Sequence, residues 1–227
     1  MVRRRFIILT AVQIEAKAVA RALGLRRPSP TRPTISKGTV PLIELHLIGI
    51  SAPRLPQDLG NPDDTLVIMA GLAGGLDPSL QVGDVVIDDS PPGLVLETSH
   101  RAGRIHSADA VIATTAQKAA LFAQTRALAV DMETATVRTA VGRQGIPFLA
   151  IRAISDAADD VLDPAVLRLV DAFGRPRPIA IAATLIRRPG LAAYLKWLGA
   201  SSRLAADNLG LAVAGIVRSS LRPRVDE

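Results

Sequence analysis

Two short apolar runs that each end in acid constrain this chain more than any other feature. Ala127–Val130 leads into Asp131-Met132-Glu133, and beyond Gly145 the run Phe148–Ile154 leads into Ser155-Asp156. Apolar runs of this length read as strands, and Glu133–Gln144 between them, closed by Gly145 at the C′ position, reads as a helix. Ligands of an open α/β sheet bind outside the carboxyl ends of its strands, so both acidic clusters are expected to converge on one crevice.

The rest of the chain repeats this alternation. Arg5–Ala11 is an apolar run bounded by charge, and Glu15–Leu23 has apolar residues at helical spacing before Gly24. Thr39–Ile50 has strand-like stretches, and Pro53 and Pro56 forbid a long helix before Thr65–Ala70, whose continuous apolar character suits a parallel strand covered on both faces. Ala70-Gly71-Leu72-Ala73-Gly74-Gly75-Leu76 then reads as a glycine loop, Asp84–Asp88 as a strand, Ser90–Ser107 as loop and Thr114–Gln124 as helix. Beyond Pro164 helices separated by breakers are expected at Ala165–Phe173, Ile179–Ile186, Leu191–Leu198 and Arg203–Val217. Alternating strands and helices argue for a largely parallel, mixed sheet with flanking helices, an α/β fold carrying a helical C-terminal extension.

With 227 residues, of which 48% are hydrophobic, the chain can bury one substantial core. There is no cysteine, and His46, His100 and His106 lack metal-ligand spacing, so no protein-bound metal is expected. The amino terminus superficially imitates a secretion signal, but Glu15 and Lys17 follow Phe6–Val12 at once, and it reads better as a strand entering a helix. No apolar run reaches the roughly 20 residues that span a bilayer. A cytoplasmic location is the expectation.

Net charge is +6, and its placement is uneven. Residues 1–163 hold 17 basic and 17 acidic side chains, whereas 164–227 hold 10 and 4. A basic tail fits a solvated arginine face, an anionic membrane surface or nucleic acid. Nucleic acid is disfavoured, because one Trp and one Tyr offer little for base stacking and no binding motif is visible. The cluster Leu191, Tyr194, Leu195, Trp197 and Leu198 beside Arg187, Arg188 and Lys196 either lies flat on a membrane or packs inward.

Four motifs in order carry a resemblance: Ala11-Val12-Gln13-Ile14-Glu15; Gly71–Leu76 with Val82-Gly83-Asp84-Val85-Val86; Val130-Asp131-Met132-Glu133; and Arg152-Ala153-Ile154-Ser155-Asp156. Together they resemble the nucleoside phosphorylase and methylthioadenosine/S-adenosylhomocysteine nucleosidase family. The tail from about Pro164 is similar to the branch associated with hopanoid lipid synthesis. The resemblance implies a three-layer αβα phosphorylase/hydrolase-like fold, a nucleoside-binding catalytic domain over residues 1–163 and a basic helical extension over 164–227. It also implies a homo-oligomer, with a dimer favoured, a small purine nucleoside as partner, and no cofactor beyond inorganic phosphate should the reaction be phosphorolysis.

Cleaving a ribosyl N-glycosidic bond develops positive charge on the sugar and negative charge on the departing base, so groups are needed on both sides of the reacting carbon. By the resemblance, Asp156 protonates or hydrogen-bonds N7 of the purine, Glu15 orients or deprotonates the attacking water, Glu133 accepts hydrogen bonds from the ribose hydroxyls and Met132 packs beneath the sugar. Ala70, Gly71, Leu72, Ala73, Val111, Asp131, Arg152 and Ser155 complete the implied substrate-binding set. Each acid has an alternative reading: Glu15, Asp131 and Glu133 as helix-start residues and Asp156 as a turn residue or cap.

The sequence departs from the family in placing Leu72 where many relatives carry a hydroxyl and Val111, within Ser107–Ala113, where an aromatic is usual. The prolines after Gly49 and a short stretch between Asp88 and Asp131 open the site, which suits a bulky 5′ group such as that of adenosylhopane, with free methylthioadenosine or S-adenosylhomocysteine as the ordinary alternative. Phosphorolysis needs donors for a phosphate dianion, and Thr10–Ala16 has no arginine, so water is the favoured nucleophile. Phosphorylase, with Arg54, Arg101 or Arg104 on the phosphate, is the alternative, and a silent nucleoside-binding protein the second.

Overall fold

A computed structural model describes residues 5–36, 41–91 and 99–220. Nine strands form one sheet: β1 (Arg5–Thr10), β2 (Thr34–Ile35), β3 (Leu42–Leu47), β4 (Thr65–Gly75), β5 (Val85–Asp88), β6 (Arg101–Ala102), β7 (Ile105–Ser107), β8 (Ala129–Asp131) and β9 (Phe148–Asp156). Five helices accompany them: α1 (Gln13–Ala22), α2 (Thr115–Thr125), α3 (Thr134–Arg143), α4 (Pro178–Arg187) and α5 (Leu191–Ser219). The main path runs β2-β3-β1-β4-β9-β5-β6, while β8 joins the far end of β4 and carries β7. β1, β3, β4 and β9 are mutually parallel; β2, β5 and the β4–β8 pairing are antiparallel. The expected mixed, largely parallel sheet with helices on both faces is present.

Because β1 and β4 are covered on both faces, alternate residues feed two cores. Phe6, Ile8, Leu66 and Ile68 meet Val19 and Ala20 of α1 and Leu209, Val213 and Ile216 of α5. Ile7, Leu9, Val67 and Met69 meet Val137 and Val141 of α3 and the irregular stretch through Ile48, Ala52 and Leu59. The predicted starts and ends of β1, α1, α3 and β9 lie within a residue or two of those observed. Residue 39 at the predicted strand start and residues 92–98 of the predicted loop lie outside the described residues.

Four expectations change. The glycine stretch after Ala70 is no loop: β4 continues beside β9 to Gly74, with one register shift between Ala73 and Gly74, and Gly74 and Gly75 pair with β8. The loop 90–107 contains β6 and β7. Ala165–Phe173 forms only a 3-10 turn over Pro164–Leu169, because the Asp171 carboxylate accepts from the N–H groups of Phe173 and Arg175 and turns the chain there. Leu191–Leu198 and Arg203–Val217 are one helix of 29 residues. Gly199 costs about 1 kcal/mol in a helix interior, whereas burying Leu209, Val213, Ile216 and Val217 yields roughly 1.5–3 kcal/mol apiece, so the helix runs on.

The stretch after β9 is stitched to the loops around it. Gln13 N–H donates to Phe173 O at 2.9 Å, Ile50 N–H to Ala172 O at 2.9 Å and Leu162 N–H to Ala113 O at 2.8 Å. These bonds matter below, since Ile50 and Leu162 line the site.

Candidate active site

Beyond the carboxyl ends of β1, β4, β8 and β9 lies a cavity of about 200 Å³. Its lining brings together Glu15 from α1, Glu133 at the start of α3 and Asp156 at the end of β9, three acids far apart in sequence. Leu72, Ala73, Val111, Asp131, Met132 and Ser155 line it as well. Ala70 instead has its side chain in the core beneath α1 and α5, and Gly71 and Arg152 lie behind the wall.

Glu15 occupies the third position of α1, where a carboxylate satisfies N–H groups that have no helical partner. Its Oε2 accepts from the N–H groups of Ala11 at 2.8 Å and Val12 at 2.9 Å, and Oε1 accepts from Leu72 N–H at 2.8 Å. A carboxylate has about four lone-pair directions, so three are filled and one remains for a ligand in the cavity. The helix-start reading of Glu15 is thus correct as far as it goes, and the same carboxylate faces the cavity. Burial pushes its pKa up to about 7 against the pull of Arg152 and the backbone donors. That places it near neutrality, where a general base works best.

Arg152 is fully buried and organises the floor. Its Nη2 bonds Asp131 Oδ2 and Thr134 Oγ1, and Glu133 Oε2 lies 3.8 Å away. Nε and Nη1 have no hydrogen-bond acceptor among the described residues. Gly71 is required here: a Cβ would run into Arg152 Nη1 and come within 3.0 Å of Glu15 Oε1. Burial alone would raise Asp131, but Arg152 with the bonds from Ser107 and Thr134 outweighs it and holds the carboxyl below its ordinary value. With Ser107 Oγ at 2.6 Å and Thr134 Oγ1 at 2.5 Å, Asp131 is committed to the scaffold despite touching the cavity. Glu133 goes the other way, raised chiefly by burial. Its Oε1 accepts from Ser51 N–H at 3.1 Å. Ser51 and Ala52 both adopt positive φ (60° and 56°), an uncommon backbone held where the loop meets an acid of the site.

Asp156 is backed by a residue that motif reading missed. Lys118 of α2 is wholly buried, and its Nζ donates to Asp156 Oδ2 at 2.7 Å, Ala157 O at 2.5 Å and Asp160 O at 3.1 Å. Ser155 Oγ donates to Asp156 Oδ1 at 2.8 Å. The available signal was slight: Lys118 is the single charged side chain of an alanine-rich helix, one turn before the packed Leu121 and Phe122.

Among the described residues no arginine or lysine lines the cavity, and no aromatic ring does. Arg54 donates to Pro30 O and lies over the Phe173 ring, and Arg101 donates to Ser79 Oγ beside a different cavity. Val111 with Ala110 and Ile112 forms an aliphatic wall. Among the described residues no cluster of His, Asp and Glu is arranged to hold a metal.

The Phosphorylase superfamily model matches residues 94–186, which span β6 to α4 and include Asp131-Met132-Glu133 and Ser155-Asp156. Over that stretch the chain is similar to the phosphorylase superfamily. It is 28% identical over 225 aligned residues to the futalosine hydrolase of Streptomyces coelicolor, covering 76% of this chain and 95% of that one. Its fold matches that of the methylthioadenosine/S-adenosylhomocysteine nucleosidase of Neisseria meningitidis in complex with methylthio-immucillin-A, at a TM-score of 0.63 and 20% identity over 95% of this chain and 99% of that one. It also matches the futalosine hydrolase of Helicobacter pylori, at a TM-score of 0.62 and 18% identity over 96% and 98%.

Proposed function

We propose that this protein is a nucleosidase that hydrolyses the N-glycosidic bond of a 5′-substituted purine nucleoside and releases the base. The observation that carries the reading is the meeting of Glu15, Glu133 and Asp156 around one cavity. Glu15, with one lone pair left and a pKa of about 7, takes a proton from water as that water attacks C1′. Glu133 accepts the ribose hydroxyls, and Met132 and the Val111 wall pack sugar and base. Asp156 passes to N7 a proton taken up from solvent when the base is bound, so that the base leaves neutral and the carboxylate paired with Lys118 is restored. Lys118 then faces the carboxylate that remains, which offsets the charge left behind.

Water is favoured over phosphate because among the described residues no cationic side chain lines the cavity. A silent binder is disfavoured, since it has no need of a buried carboxylate with a raised pKa beside the sugar. Small nucleosides of the kinds named for the relatives, methylthioadenosine, S-adenosylhomocysteine and futalosine, are the first substrates to test. A lipid-linked adenosyl compound such as adenosylhopane follows from the open pocket and the basic tail. We place the protein in the cytoplasm as a homodimer, with an exposed part of the extension over 164–227 in peripheral contact with an anionic membrane.

The test is release of free base from this panel with and without inorganic phosphate. Release independent of phosphate and abolished by Glu15→Gln and Asp156→Asn is the expected result. Absolute dependence on phosphate would make it a phosphorylase, and tight binding of every nucleoside without release would make it a binder.

A further inference from the structure

α4 buries none of its side chains. Its residues Ile179, Ala182, Ala183 and Ile186, spaced i, i+3, i+4 and i+7, are all exposed, the two isoleucines by 87% and 83%. An apolar stripe on the outside of a helix is the reverse of what a globular domain needs.

Charge selects its occupant. Arg175 and Arg177 precede the helix and Arg187 and Arg188 close it, all four exposed. From Ala172 to Ala206 there is no acidic residue, while Lys196 and Arg203 add to the four arginines. Arg188 pairs with Asp163 at 2.7 Å from outside this stretch, and the other arginines flank the stripe without an ion pair to an acid of α4, which has none. Two copies meeting through this face would set like charges together in either orientation, since arginines stand at both ends. An anionic bilayer instead accepts both features, apolar side chains below the headgroups and guanidinium groups among them.

The cluster at 191–198 is the poorer candidate. Leu191 is buried, Tyr194 Oη accepts from Asp163 N–H at 3.0 Å, and Tyr194 and Trp197 pack against each other.

We propose that α4 is an interfacial helix that seats the stripe Ile179–Ile186 in the surface of an anionic phospholipid bilayer. Both of its ends are tied to the cavity wall. On one side Ile50 N–H holds Ala172 O, and on the other Arg188 holds Asp163, next to Leu162. Docking through α4 therefore fixes the cavity rim relative to the lipid, and on the catalytic reading above it favours a nucleoside with a membrane-soluble 5′ group.

The experiment is co-sedimentation of the full chain with vesicles of phosphatidylglycerol and phosphatidylcholine in about equal parts, against pure phosphatidylcholine. Because no turnover is measured, its result is independent of the nucleosidase reading. Binding is expected only to the anionic vesicles, weaker in salt. Arg175→Gln/Arg177→Gln/Arg187→Gln is expected to lower the partition coefficient about 100-fold. Ile179→Ser/Ile186→Ser is expected to lower it at least roughly tenfold, with the melting temperature kept because both positions face solvent. Absence of sedimentation with anionic vesicles, equal binding to neutral ones, or a stripe variant that binds like the parent would overturn the proposal. So would gel filtration showing that Ile179→Ser/Ile186→Ser splits a dimer, since the face would then belong to a second copy.

Discussion

Glu15 sits at the third position of α1 with three backbone N–H groups on its carboxylate, yet burial still holds its pKa at about 7. Two consequences follow from the sign of that shift. As a base it must be ionised, so kcat/KM is expected to rise with pH through an apparent pKa near 7, and Glu15→Gln to lose roughly 100- to 10,000-fold; a flat profile from pH 5 to about 8 would remove Glu15 from that role. For stability, the folded state keeps a proton on Glu15 that the unfolded chain releases above about 4.5, so stability falls as pH rises from there to about 7 and then levels off. The difference corresponds to about 3 kcal/mol. Glu133 shifts in the same direction, so the contribution of Glu15 is the part of the slope, measured by urea unfolding across that window, that Glu15→Gln removes. The Lys118–Asp156 pair gives a separate check. Lys118→Met leaves a buried carboxylate without its cation and is expected to cost roughly 3–5 kcal/mol, most of it recovered in Lys118→Met/Asp156→Asn. A double variant whose loss equals the sum of the two single losses would show the pair to be uncoupled.

At the scale of elements, what was legible in the sequence was whatever local pattern decides. The mostly apolar β1 and β9 and the amphipathic α1 carry their periodicity in their own residues, and the acids at their ends fell where strand ends must put them. The second half of β4 was not legible, because Gly71, Gly74 and Gly75 have low strand propensity and are strand only through pairing with β9 and β8, both distant in sequence. Their purpose is equally non-local: Gly71 makes room for Arg152. Lys118 was hidden for the same reason, since a lone lysine on an alanine-rich helix looks like a solvated residue until Asp156 is brought to it. Gly210 shows the same dependence in the helical layer, where a Cβ would stand 2.8 Å from Ala18 O at the crossing of α1 and α5. Gly71→Ala and Gly210→Ala are both expected to lower stability, by about 1–3 kcal/mol or more. Only Gly71→Ala is expected also to abolish base release, because it moves Arg152 and with it Asp131 and Glu133. Full activity in Gly71→Ala would mean that Arg152 does not set the floor of the site.

At the scale of the whole molecule, the question is whether residues 164–227 form an attachment or a part of the core. α5 supplies Ala205, Leu209, Val213 and Ile216 to the same core as β1 and β4, while the stretch before α4 holds the backbone of Gln13 and Ile50 at the site. Removing the extension would uncover that core and release two site loops at once, so we expect the chain to unfold as one cooperative unit. Trp197, the single tryptophan, lies in the first half of α5 against Tyr194 and reports on the extension alone, whereas far-UV circular dichroism reports on every helix. In thermal and urea unfolding the two signals are expected to coincide in midpoint and slope. A Trp197 transition that comes first, with most of the helical signal intact, would mean that the extension melts separately, and that the contacts of Ala172 and Phe173 with the site loops are too weak to couple them.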